Sequence, residues 1–490
     1  MSDTRSSQRS KYFWKIDRWE GGLSDDSRIG KPGSFRYGHN LDYRSDSGLL
    51  QVNQKPELIS PTEGSHAVNV EIKWIDVHPT NGEIYYYGTN KIFKEATNGT
   101  ITLVHEPTGA GQGMADFNGH LYYARDTVIG RFNYTATWTD SFQTGLVSAP
   151  WMPMCRFKNL LLVGHGRYIA TFDDIGTFTL QALRLPPGMV ARSIFRAGSY
   201  AVILATRNSD VAASDEGYMF LWNGISPQYN ELVPINGIPH AGISLNNKLV
   251  MIANNQPIIM ESYGGPAETM ENVALFSPGQ IGEIYPGAID IWRNMVWFGM
   301  AGSSSECIKG VYSYGAKNRY FLDTLNADFI PSHGVVSGAN VRITALKRIG
   351  NTIRFAWKNG DSYGIDKVNV TGYAPEAVYR SLAFDNTSPH QKTPVKLVAE
   401  IAGKLRADES LTAKISPHPY TDPAFADSAS IATATLTTVG EDRLELPLNT
   451  LDNQIRSRDL HLELRLAGTG ATRPAVKRVW VEVDEDPDIL

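Results

Sequence analysis

A two-residue turn recurs seven times between residues 81 and 351: Asn81-Gly82, Asn118-Gly119, Lys158-Asn159, Gly198-Ser199, Asn246-Asn247, Arg293-Asn294 and Gly350-Asn351. Successive turns lie 37 to 57 residues apart. Asn and Gly tolerate the positive φ that both central residues of a tight hairpin turn require. A chain punctuated in this way reads as a series of small antiparallel sheets.

The flanking residues agree. Each turn is followed by an apolar or aromatic run: Ile84–Tyr87, Leu121–Tyr123, Leu160–Val163, Ala201–Leu204, Leu249–Ile252, Val296–Phe298 and Ile353–Trp357. Continuous runs of this length suit strands buried on both faces. After a break comes a third strand: Lys91–Lys94, Val128–Phe132, Tyr168–Phe172, Tyr218–Trp222, Pro257–Glu261, Lys309–Tyr314 and Tyr363–Val368. The chain holds 22 Tyr, 18 Phe and 10 Trp alongside 44 Gly and 26 Pro. Aromatics favour strands and Gly and Pro favour turns, so composition also leans to an all-β fold.

Units of this size, each a small antiparallel sheet, are the pattern of a β-propeller, here of six or seven blades over residues 56–385. A solenoid of β-arches competes, but its repeats are usually shorter and more regular. An N-terminal strand near Leu50–Leu58 is expected to complete the seventh unit, which would leave no free sheet edge. Residues 386–392 lie in a polar linker, and the texture changes beyond it. Leu460, Leu462, Leu464 and Leu466 alternate with polar residues, as do Val479, Val481 and Val483. Strands with one wet and one buried face build an antiparallel β-sandwich, expected over 393–490.

Residues 1–55 carry ten basic and seven acidic residues and many glycines. They are expected to form an extended assembly arm that orders on a neighbouring subunit. Its anchors would be Trp14, Trp19, Gly21, Gly22, Phe35, Tyr37, Asn40 and Tyr43, glycine letting the chain follow a foreign surface and the aromatics burying there.

A net charge of −5, spread evenly along the chain, argues against sequence-independent phosphate binding through a basic stripe. The two cysteines, Cys155 and Cys307, suit neither a disulfide framework nor a cysteine zinc site. No apolar run approaches the roughly 18 residues that span a bilayer. The N-terminus lacks the apolar core of a signal peptide, so a soluble product made in the cytoplasm, without integral membrane contact, is expected.

Enzymatic signatures are sparse. There is no paired-histidine metal motif, no Gly-x-Ser-x-Gly elbow and no phosphate loop, so neither catalysis nor a cofactor is expected. Asp76, Asp116 and Asp290 fall in or near the first strands of their repeats, as do Arg156 and Arg196. First strands line a propeller's channel, and acids with arginines there could form a glycosidase or sialic-acid site. The preferred reading is the polar wall of a water-filled channel. Asp173–Phe178 resembles the Asp-box turn of sialidases, one residue short and present once. Ser416–Pro419 reads as a turn and Asp484–Asp486 as a solvated terminus. Trp74, Trp138, Trp151, Trp222, Trp292 and Trp297 read as core.

The stretch containing Gly21, Gly22, Leu23, Ser24, Asn40, Gly48, Leu49 and Pro56 resembles the opening of the nozzle (tubular tail) proteins of short-tailed bacteriophages. In that family a Gly-Gly-[Ile/Leu]-Ser start leads to an Asn and then to a Gly-Leu near a Pro. The resemblance covers about 40 residues. Lys31–Phe35 and the C-terminal sandwich depart from the family pattern. The resemblance implies a propeller-based, non-enzymatic virion protein of the tail, made in the host cytoplasm. Its implied partners are other tail and neck proteins and further copies of itself, six in a ring, around a path that DNA crosses without specific binding. The alternative is a host-recognition tail protein that binds or degrades glycans through the propeller or the sandwich.

Overall fold

The computed structural model describes residues 11–24, 30, 32–46, 48–135, 137–207, 216–235, 237–246, 248–253, 256–260, 268–269, 283–301, 309–316, 323–334, 341–383, 392–416, 432–448 and 460–485. Among these the regular structure is all β, with many small antiparallel sheets in a propeller-like arrangement. The chain divides into two compact units: Pro56–Ser313 with Pro331–Val368, and Met1–Lys55 with Tyr314–Ile330 and Asn369–Leu490.

The first unit is organised by the hairpins read from the sequence. Phe117 pairs with His120, Phe157 with Leu160, Ala197 with Tyr200, Leu245 with Lys248, Trp292 with Met295 and Ile349 with Thr352, each pair enclosing a two-residue turn. Positive φ occurs at Asn118, Gly119, Lys158, Gly198, Asn246, Arg293, Asn294 and Gly350, which explains the Asn and Gly there, while Lys158 and Arg293 adopt it without that advantage. Around Asn81-Gly82 the loop is longer, joining Val77 to Ile84. A fourth strand completes the sheets, as Ile101–His105, Trp138–Thr144, Phe178–Arg184 and Glu231–Ile235. The second strands are almost wholly buried, whereas Trp138–Thr144, Phe178–Arg184 and Glu231–Ile235 are mostly half-buried or exposed; Thr324–Phe329, the fourth strand of its sheet, is buried throughout.

The first strands are Ile72–Val77, Gly111–Phe117, Met154–Phe157, Val190–Ala197, Pro239–Leu245, Ile289–Trp292 and Val341–Ile349. Each lies beside the first strand of the next sheet, and Val341–Ile349 lies beside Ile72–Val77. The apolar cores sit between consecutive sheets. Phe157, Leu162 and Leu183 pack against Ile194, Ile203 and Trp222, and Ile72, Ile84 and Phe93 against Ala345, Ala356 and Ile365. Gln54–Leu58 is the outer strand of the sheet that begins with Val341–Ile349, as expected. A backbone bond from Ile59 N to Ile365 O (2.9 Å) and a bond from Ile365 N to the Ser60 side-chain Oγ (3.0 Å) continue the attachment.

The second unit corrects the expected domain boundaries. It contains two six-stranded sheets, and both combine N- and C-terminal strands. In one, Ala475–Glu485 pairs with Lys11–Ile16, with Leu50–Val52 and with Lys392–Ile401. In the other, Ser34–His39 pairs with Glu376–Ser381, which pairs with His461–Ala467. The described strands from Lys11 to Val52 are therefore not a separate arm: they belong to the same unit as 393–490. Glu376–Ser381, assigned from sequence to the propeller, belongs there too. The physical reason is edge satisfaction, since Glu376–Ser381 has backbone donors and acceptors on both sides and Ser34–His39 supplies one side. Residues 384–391, including most of the expected linker, lie outside the described residues, and Lys392 already begins a strand.

Candidate functional site

At the turn end of the first strands, the structure brings Asp76, Asp116 and Arg156 together. Asp76 Oδ2 accepts the amide of Asp116 at 2.6 Å, and its Oδ1 accepts the amide of Val77 at 2.9 Å. Arg156 Nη2 lies 2.9 Å from Asp116 Oδ1 and 3.6 Å from Asp76 Oδ2, and its Nε donates to the Asp116 carbonyl. The Tyr134 hydroxyl donates to Asp116 Oδ2 at 2.5 Å. Lys347 Nζ stands 3.8 Å from Asp76 Oδ1. Asp290 is held apart from this group by the amides of Ile291 and Arg348, both 2.8 Å away.

Every one of these carboxylates is thus occupied by backbone amides or cations. Burial pushes the Asp116 carboxyl above the ordinary carboxylate range, against the pull of Tyr134 and Arg156. Burial alone would lower Lys347, but Asp76 and Asp290 outweigh it and hold the ammonium above its usual range. Asp76 is 9 % exposed and Asp116 2 %, so these two do not form an open carboxylate pair flanking a sugar-sized space. Cys155, half-buried between these cations, has its thiol pushed up to about 12 by burial, so it is a poor nucleophile at neutral pH.

The opposite end of the first strands is filled by aromatic side chains that the sequence did not single out as a group. Trp151 packs edge-on against Trp74, with ring centroids 6.2 Å apart, and lies 4.8 Å from Tyr285. Lys73 and Arg192 lie over the Trp151 ring, at 5.2 and 5.8 Å. The Tyr285 hydroxyl donates to Glu71 Oε1 at 2.8 Å, Arg342 Nη1 donates to that hydroxyl at 3.3 Å, and Arg192 pairs with Glu283 at 2.7 Å. These residues come from the first, third, fourth, sixth and seventh repeats, so the contacts bridge strands that are not neighbours in the ring. Trp74, Trp151 and Tyr285 are all under 9 % exposed. The expected water-filled channel is therefore packed at this end, because large apolar rings exclude water from a narrow space more favourably than a polar wall holds it.

The sequence-named tryptophans divide accordingly. Trp222, Trp292 and Trp297 are core, whereas Trp138 is only partly buried and stacks on Phe132 at 4.0 Å and on His105 at 4.2 Å. The Asp-box-like turn joins a third to a fourth strand. There Asp173 Oδ1 accepts the amides of Ile175 (3.2 Å) and Thr177 (2.6 Å), a structural use of the carboxylate. Ser416 ends a strand, Pro417–Pro419 lie outside the described residues, and so do Cys307 and Asp486. Among the described residues there is no cluster of His, Cys, Asp and Glu able to hold a metal ion.

The expected anchors of the N-terminal segment are buried inside their own unit. Trp19 is fully buried edge-on to Tyr379, 5.2 Å away, and its Nε1 donates to the Lys477 carbonyl at 3.4 Å. Phe35 contacts Tyr43 at 5.9 Å and Tyr379 at 5.4 Å. Tyr37 lies under Arg380 at 4.4 Å, and Trp14 is 5 % exposed on the strand facing Val481. Asn40 adopts φ 56° and donates through Nδ2 to the Glu376 carbonyl at 3.0 Å. Gly22 has φ 76°, and at Gly21 a Cβ would stand 2.1 Å from Ser34 N. Seven of the eight are buried and Tyr37 is half-buried, because the C-terminal strands already supply the surface they cover. A cleft in this unit is lined by Leu405, Arg406, Glu409, Val439 and Arg473, but Glu409 is used in capping its own turn through the Arg406 amide at 2.9 Å.

No family model and no curated protein matches this chain. It is similar in structure to the extracellular domain of a putative hybrid two-component system from B. thetaiotaomicron, at 12 % identity and a TM-score of 0.47, over 77 % of this chain and 47 % of that one. The chain therefore spans about half the length of that bacterial structure. It is also similar to a chain of the mitotic checkpoint complex (11 % identity, TM-score 0.45, 67 % of this chain and 95 % of that one). A third likeness is to the N-terminal domain of Nup159 (10 % identity, TM-score 0.39, 68 % and 99 %).

Proposed function

We propose that this chain is a non-enzymatic structural protein of a tailed-bacteriophage tail, built from a seven-bladed β-propeller and a β-sandwich that includes its N-terminal segment. The blade count is supported by the cyclic order of the first strands and by the Gln54–Leu58 strand that completes the last sheet. Two six-stranded sheets with alternating burial support the sandwich.

One observation supports the non-enzymatic reading: the acidic and aromatic side chains at the two ends of the first strands are paired and packed among themselves. Ion pairs and amides consume the carboxylates at one end, and aromatic rings pack the other. Such a centre is rigid, which suits a subunit that must hold shape within an assembly. The virion context rests on the resemblance of the segment from Gly21 to Pro56 to nozzle proteins. In that setting the protein is made in the host cytoplasm and joins other tail and neck proteins, with copies arranged around the DNA path rather than DNA threading the propeller. An early stop codon in the gene, introduced into the phage, tests this. Heads without functional tails are expected. Intact particles that merely adsorb poorly would favour the glycan-recognition alternative and refute the structural one.

A further inference from the structure

Arg196 and Arg348 occupy matching positions on the fourth and seventh first strands, each one residue before the last paired residue ahead of its turn. Both are exposed, and both use Nε in the same way. Arg196 donates to the Gly198 carbonyl at 3.4 Å, and Arg348 to the Gly350 carbonyl at 3.2 Å. Each guanidinium is thereby pinned to its own hairpin turn with the Nη edge directed away from that bond. The neighbouring acids are already committed, Asp76 and Asp116 to Arg156 and Asp290 to two backbone amides. Lys347, adjacent to Arg348, pairs with Asp76 at 3.8 Å and is not one of the unspent cations.

On the same end of the sheets, two outer turns present bare isoleucines. Ile175 is 85 % exposed and Ile225 83 %. Their turns are fixed by Asp173 and by Asn223, whose Oδ1 accepts the Ile225 amide at 2.9 Å. Both turns are tied to neighbouring hairpins, through Asn118 to the Asp174 carbonyl (2.7 Å) and Lys158 to the Asn223 carbonyl (2.9 Å). These side chains are held out by rigid loops, which lowers the entropy lost on contact.

We propose that this end of the propeller is a docking surface for an acidic peptide segment of a partner protein. Aspartate or glutamate side chains would bind the Nη edges of Arg196 and Arg348, and apolar flanking residues would cover Ile175 and Ile225. Pinned guanidinium forks match carboxylates in bidentate geometry. Charge complementarity selects the peptide, since the unspent charge here is positive. An acidic glycan fits less well, because Trp292 is 2 % exposed and lies beneath Arg293, leaving its ring no open stacking face. The inference goes beyond the proposed function and does not depend on it, since docking is measured on the purified protein.

The test is fluorescence anisotropy of the full-length chain with a fluorescein-labelled ten-residue glutamate peptide at low salt, with oligogalacturonate as competitor. Saturable, salt-sensitive binding is expected, at least tenfold weaker in R196A/R348A and in R196K/R348K, because lysine keeps the charge but not the fork. Circular dichroism of both variants should match wild type. Absence of saturable binding to wild type, equal binding by the folded variants, or displacement by oligogalacturonate at lower concentration than by unlabelled peptide would each overturn the proposal.

Discussion

Replacing Glu95 with Ala tests the seam between the first and last sheets. Glu95 Oε1 lies 2.9 Å from Arg354 Nη2 and Oε2 lies 3.2 Å from Arg354 Nε, a two-point pair. The Tyr86 hydroxyl donates to the same carboxylate. The side chains of Arg354 and Glu95 are only 7 % and 6 % exposed, and around them pack Ile84, Phe93, Ala345 and Ala356. Removing the carboxylate strands a guanidinium away from water, and breaking a buried pair in this way costs about 3–5 kcal/mol. Replacing both partners with apolar residues, as in E95L/R354M, leaves no charge to desolvate and should fall within about 1–2 kcal/mol of wild type. Urea unfolding followed by the fluorescence of the buried tryptophans reads both values. Hydrogen exchange over Ile72–Val77 and Val341–Ile349 shows whether the loss is at this seam. A cost below about 1 kcal/mol for E95A would mean that water reaches the pair and that the first and last sheets are not packed together at this seam.

Three further outcomes follow from the structure. Trp19→Ala should destabilise the unit holding the two six-stranded sheets by about 3–5 kcal/mol, and deleting residues 1–45 should leave that unit unfolded; protease resistance of 393–490 in the truncated chain would contradict this. Burial, reinforced by Arg380 and Arg465, lowers the His39 imidazole to about 3. Below pH 6.5 the unfolded chain therefore gains a proton that the folded one refuses, and stability present above pH 6.5 falls by about 1.4 kcal/mol per unit as pH drops towards 3; His39→Phe should flatten this slope. Cys155 should react with iodoacetamide far more slowly at pH 8 in the folded chain than in urea, and equal rates would show that its thiol is neither buried nor raised.

The sequence revealed the second and third strands of each sheet and, apart from Gln54–Leu58, missed the outer ones. Asn-Gly and related dipeptides leave a mark because positive φ restricts residue choice, and the buried second strands leave one because both faces are apolar. Strands such as Trp138–Thr144 and Phe178–Arg184 carry only half-buried alternation, which resembles loop sequence when read alone, although Phe178, Leu180 and Ala182 do keep a period of two. The N-terminal aromatics were legible as buried, but not where. Strand partners such as Phe35 and Ser381 are more than 300 residues apart, and nothing local encodes that pairing. At the centre, the positions of Asp76, Asp116 and Arg156 followed from turn register. Trp151 and Tyr285 did not, because they lie in connections whose course only the folded ring determines.

Electron cryo-microscopy of intact particles, with a gold-binding tag on the C-terminus of this chain, tests the structural role most directly. The account predicts labels in symmetric copies around the tail, each beside density for a seven-bladed ring with a filled centre. Unlabelled particles with the chain left in the soluble lysate, or a ring with an open, substrate-accessible centre, would contradict it.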